Sequence, residues 1–116
     1  MKRLLGKKKL LKIYINTDDK YQSNPLWEVI LQTAKQNGLY GATVYKSVGG
    51  MGIHSQFKSY NLVSLSQTLP LIIEIIDTEE KITTFIHYLD DILEEALITL
   101  NDVEVIRYKH KNGDKK

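Results

Sequence analysis

At 116 residues and 42% hydrophobic composition, the chain has material for one packed core and too little for two. It contains no cysteine, which excludes disulfide scaffolds, thiolate metal sites and cysteine nucleophiles and fits a reducing, cytoplasmic setting. The formal charge of +2 is uneven: six basic residues fall in the first twelve positions and five in the last ten, whereas residues 13–106 hold 5 basic and 13 acidic residues, a net −8.

Segments 1–8 and 109–116 are therefore expected to be basic, disordered tails of a single domain spanning 1–116. Such runs usually face water; the sharper alternative is a pair of arms for nucleic acid or an anionic membrane surface. Around Leu4-Leu5 the chain is charged on both sides, with no apolar run long enough for a signal peptide or a membrane span.

Lys9 to Asn16 (KLLKIYIN) is rich in β-branched and aromatic residues and reads as a strand. Asn24-Pro25 supplies a helix start, with Asn24 as cap and Pro25 at the first helical position, where it loses no hydrogen bond. Trp27, Ile30, Leu31 and Ala34 follow as one apolar stripe, and Asn37-Gly38 ends the helix. Gly41 to Val48 is the second strand, and Gly49 to Asn61 is expected to be a flexible loop. Leu69 to Asp77 (LPLIIEIID) is the third strand, with Pro70 confined to its start or to an edge. The second helix opens at Asp77, whose spacing to Glu80 is that of a capping box, and carries Ile82, Phe85, Ile86, Leu89 and Leu93 on one face. Leu97 to Leu100 and Val103 to Tyr108 read as a last extended stretch, interrupted by a turn at Asn101-Asp102.

The order β-α-β-β-α-β predicts an α+β, ferredoxin-like sandwich: a four-stranded antiparallel sheet with both helices on one face. Either Ile13, Ile15, Val44 and Ile73 or their neighbours must then occupy the other face. Both sets are too apolar to stay open to water, which predicts self-association through the sheet and its edges.

Three stretches, GLYGATVYKSVGGMG, LSQTLPLIIEIID and LITLNDVEVIRY, occur in that order. Together they resemble the domain of unknown function 190 family, a set of PII-like proteins, over about Leu11 to Tyr108. The resemblance implies a homotrimeric signalling protein whose long loop, here Gly49 to Asn61, contacts a partner protein such as a membrane transporter. It also implies that the base of the loop, with strands of adjacent subunits, holds an adenine nucleotide. The chain departs from the PII pattern where a glycine-rich, lysine-bearing phosphate loop would precede the last strand: Glu94-Glu95-Ala96-Leu97 stands there, and two carboxylates repel a triphosphate. Within the loop, Met51, Gln56 and Lys58 replace an aromatic, an arginine and a histidine.

The candidate ligand-binding residues are Lys46, Gly49, Gly50, Gly52, His54, Ser55, Gln56, Lys58 and Ser59. Glycines here permit a nest of backbone N–H groups for an anion, with the lysines and serines adding donors; the plainer reading is an ordinary glycine turn. His54 has no second ligand at zinc-like spacing, so no metal site is expected. No catalytic residue is expected either. His87 lies near Tyr88, Asp90 and Asp91 without a nucleophile, and Thr17-Asp18-Asp19-Lys20 is acidic where an acylphosphatase would place an arginine. An RNA-recognition module shares the topology, but the third strand is aliphatic where stacking aromatics are needed, so nucleic acid is a weaker reading that rests on the basic tails.

Overall fold

The computed structural model of this protein describes residues 4–50, 58–59 and 69–109. In chain order its elements are β1 (Gly6–Asn16), β2 (Lys20–Tyr21), β3 (Asn24–Pro25), α1 (Leu26–Gln36), β4 (Thr43–Lys46), β5 (Gly49–Gly50), β6 (Lys58–Ser59), β7 (Pro70–Asp77), α2 (Glu79–Asp90) and β8 (Leu97–Val105). The main sheet is antiparallel with strand order β4-β7-β1-β8, the ferredoxin-like arrangement expected from the element order. No helix among the described residues is long and apolar enough to cross a membrane.

Alternation along the two central strands decides which face is buried. Leu11, Ile13 and Ile15 of β1 and Leu71, Ile73 and Ile75 of β7 point to the helices, where they meet Leu26, Ile30 and Ala34 of α1 and Ile82, Phe85 and Leu89 of α2. Each of these leucines, isoleucines and Phe85 stabilises the fold by about 1.5–3 kcal/mol when fully buried. Ile13, Ile15 and Ile73, with Val44 beside them, thus belong to the covered face, and their neighbours Lys12, Tyr14, Ile72 and Glu74 to the open one.

The α1 terminus follows its sequence signal closely. Gly38 adopts φ +76°, its N–H donates to Lys35 O at 3.1 Å and that of Leu39 donates to Ala34 O at 3.1 Å, a Schellman closure that buries Leu39. The other helix boundaries differ from expectation. Asn24-Pro25 does not cap α1 through the Asn24 side chain; it pairs with Lys20–Tyr21 around a two-residue turn in which Gln22 and Ser23 both take positive φ, 51° and 74°. Pro25 is itself the N-cap, and the Leu26 N–H is satisfied by Asp19 O at 2.8 Å. For α2 the cap is Thr78, whose hydroxyl accepts from the Lys81 N–H at 3.2 Å, one residue beyond the expected Asp77.

Asp77 is buried at 0% exposure and does different work. Its Oδ2 accepts from the Tyr40 N–H at 3.0 Å and its Oδ1 from the Thr78 N–H at 2.7 Å, which ties the α1–β4 connection to the start of α2.

Two strand expectations also change. β8 runs unbroken through Asn101 and Asp102, because they stand opposite Leu10 and Lys9 of β1, and Lys9 forms an ion pair with Asp102. β1 begins at Gly6 and not at Lys9. The expected tail 1–8 is therefore corrected from Leu4 onward: Leu4 is buried and Lys7 faces Glu104 across the strands, so an acidic edge strand partly neutralises the basic run. β4 spans only Thr43–Lys46 of the expected Gly41 to Val48, and residues 106–109 leave the sheet.

Removing the Asp77 carboxylate takes the acceptor from two part-buried N–H groups. Asp77→Ala is expected to cost about 2–4 kcal/mol in urea unfolding at fixed protein concentration, and Asp77→Asn, which keeps one acceptor, less. A loss below about 0.5 kcal/mol for Asp77→Ala would remove this carboxylate from its structural role.

Candidate functional site

Among the described residues β4 is an edge strand that pairs with β7 alone, with Val44 opposite Ile73 and Lys46 opposite Leu71. That register sends Val44 and Lys46 toward the helix side. At the end of β1, the Thr17 N–H donates to Leu69 O at 2.8 Å and the Leu69 N–H donates to Thr17 Oγ1 at 3.1 Å, a reciprocal clamp between the two chain segments. Asp19 braces the same turn, its Oδ2 accepting from the Asn16 N–H at 2.9 Å. These contacts assemble Thr17, Trp27, Val44, Lys46 and Leu71 around an open cleft of about 470 Å³. Its floor is aliphatic, Trp27 adds an aromatic ring, and Lys46 and Thr17 supply a cation and a hydroxyl.

The root of the predicted arm adjoins this cleft. The Ser47 N–H donates to Pro70 O at 3.0 Å, and Gly49 and Gly50 then pair with Ser59 and Lys58. A Cβ on Gly50 would lie 3.1 Å from Pro70 Cγ, so the chain passes close over the start of β7 because residue 50 has no side chain.

Of the candidate residues, Lys46 lines the cleft and Gly49 and Gly50 leave its rim, paired through the backbone with Lys58 and Ser59. Gly52, His54, Ser55 and Gln56 lie outside the described residues. Thr17, Trp27, Val44 and Leu71 were not singled out. They come from separate segments, and only the alternation that turns Val44 to the same side as Lys46 hinted at their meeting.

The open face of the sheet is a second surface. Tyr14, Ile72, Ile76 and Leu97 make it apolar, and Ile76 and Leu97 are 37% and 60% exposed. A polar cluster crosses its middle: the Tyr45 hydroxyl donates to Glu74 Oε2 at 2.6 Å, and Lys12 Nζ lies 3.9 Å from the same oxygen. The bond to Glu74 holds the neutral phenol, which raises the Tyr45 pKa.

Residues 8–105 match the DUF190 family, described as uncharacterized ACR. The chain is similar to a UPF0166 protein of Aquifex aeolicus (strain VF5), 41% identical over 100 residues that make up 86% of this chain and 94% of that one. It is similar to a UPF0166 protein of Methanocaldococcus jannaschii, 34% identical over 102 residues, 87% and 94% of the two chains. Its fold is shared with CPII, a nitrogen regulatory PII-like protein from Thiomonas intermedia K12 solved with ADP, AMP and bicarbonate, at a TM-score of 0.62 and 16% identity over 85% of this chain and 94% of that one.

Two substitutions check this geometry. Gly50→Val is expected to lower stability by about 1–3 kcal/mol through overpacking on Pro70. Gly41→Ala, where a Cβ meets nothing within 4 Å, is expected to be neutral or stabilising by up to about 1 kcal/mol. Thermal unfolding that leaves Gly50→Val equal to the parent would refute the close approach. For Tyr45, a raised folded-state pKa means the bond stabilises below the ordinary phenol value and is lost as pH rises through the raised one. Glu74→Gln is therefore expected to return the Tyr45 titration toward its ordinary value, followed by NMR of ¹³Cζ-labelled tyrosine; an unchanged Tyr45 curve would show that Glu74 is not the cause.

Proposed function

The chain belongs to the DUF190 family, and from that premise we propose that it is a PII-like regulatory protein, not a catalyst, that senses an adenine nucleotide. The observation that carries this reading is the position of the cleft: Lys46 lines it, and the arm departs three residues later at Gly49. A ligand that engages Lys46 acts on the backbone from which the arm leaves, and differential binding to two arm arrangements shifts their populations. The arm, residues 49–61, is then the element that meets a partner protein, such as a membrane transporter.

The open sheet face supports self-association as a homotrimer. Tyr14, Ile72, Ile76 and Leu97 form an apolar surface that a second copy would take out of water, and a neighbour that also reaches past the β4 edge would border the cleft on the helix side. Glu94 and Glu95 bear on the choice of nucleotide. They precede β8 at the end of the sheet where Leu97 pairs with Tyr14, the same end as the cleft but at the opposite edge. Their charge disfavours a triphosphate in any assembly that brings this edge to a neighbour's cleft, and so favours AMP or ADP over ATP.

Native mass spectrometry of the untagged protein, alone and with AMP, ADP and ATP, tests both parts. A trimer that takes up about one AMP or ADP per subunit is expected. A monomer that takes up none would overturn the assembly and the shared site together.

A further inference from the structure

We infer that Trp27 is the ring-stacking residue of the cleft, its indole facing a purine across Val44 and Leu71 while Lys46 and Thr17 serve the phosphate and sugar. This rests on the reading of the cleft as an effector site and goes further by assigning the part of the ligand that gives selectivity.

The helix does not need Trp27 for its core. Leu26, Ile30 and Ala34 fill the buried positions of α1, and Trp27 packs against that core only in part while also lining the cleft. Its backbone is held in place, because the neighbouring Leu26 N–H is anchored on Asp19 O. Val44 and Leu71, also among the described lining residues, add branched aliphatic side chains to the cleft. A cleft lined by an indole and aliphatic groups favours a planar, polarizable ring, and aromatic side chains recognise nucleobases by stacking. The polar groups complete the match. Lys46 offers an ammonium for a phosphate. The Thr17 oxygen already accepts from the Leu69 N–H, which leaves its own proton to donate toward a ligand.

Trp27 is the only tryptophan in the chain, so its emission reports on the cleft directly. AMP is expected to quench Trp27 fluorescence saturably in the full-length parent protein. By equilibrium dialysis, Trp27→Leu is expected to weaken AMP about tenfold or more, and Trp27→Phe, which keeps a ring, by less. Ribose 5-phosphate, which has the phosphate without the ring, is expected to bind the parent and Trp27→Leu equally weakly. If the parent binds AMP and Lys46→Gln impairs it, while Trp27→Leu or an unquenched parent spectrum shows no involvement of the indole, the stacking role falls and the effector site stands. If the parent binds no AMP, both fall. Should Trp27→Leu fail to fold, quenching in the parent and the Trp27→Phe affinity still decide.

Discussion

The structure depends on one strand that is hydrogen-bonded on both sides and buried on one face. β1 pairs with β7 from Lys9 to Asn16 and with β8 from Gly6 to Tyr14, so its register sets that of three strands at once. A slip by one residue would carry Leu11, Ile13 and Ile15 to the open face and Lys12 into the core, an exchange no repacking could offset. From this register the rest follows in sequence. Lys9 meets Asp102, Lys12 lies across from Glu74, and the end of β1 delivers Thr17 to its clamp on Leu69.

The second constraint is the buried Asp77. A carboxylate inside a protein must be fully hydrogen-bonded or it costs more than it contributes. Here it takes N–H groups from two separate connections, and so fixes where β4 starts relative to α2. The position of β4 in turn places Val44 and Lys46, and with them the cleft. A residue remote from the candidate site thereby helps to determine its shape.

Much of the fold was legible because its signals are local and redundant. The stripes of α1 and α2, the apolar run of β7 and the Asn37-Gly38 terminus each repeat one message at several positions. What was not legible depended on partners distant in sequence. Asp77 and Thr78 are both good caps, and only the Tyr40 N–H, brought in by the tertiary fold, assigns Asp77 elsewhere. Asn101-Asp102 has turn composition, yet opposite Leu10 and Lys9 it is strand. The Gln22-Ser23 turn has positive φ at both residues without the Asn-Gly signal that normally announces it. In the candidate site, Lys46 was visible from its charge beside the glycines. Trp27 was hidden in an apolar stripe, and Thr17 and Leu71 carried no chemical signal before the sheet brought them together.

The fastening of the arm's ends has an evolutionary consequence. Ser47 is bonded to Pro70, and Leu69 to Thr17, so the chain between them is anchored at both ends by contacts that belong to the domain. The entropy of closing such a loop rises only with the logarithm of its length, about 0.6 kcal/mol for each doubling. Added length between the two anchors therefore costs the domain little, whereas positions that pack on the domain, such as Gly50 against Pro70, stay constrained. A chain that keeps these two anchors can vary the length between them at little cost to the fold.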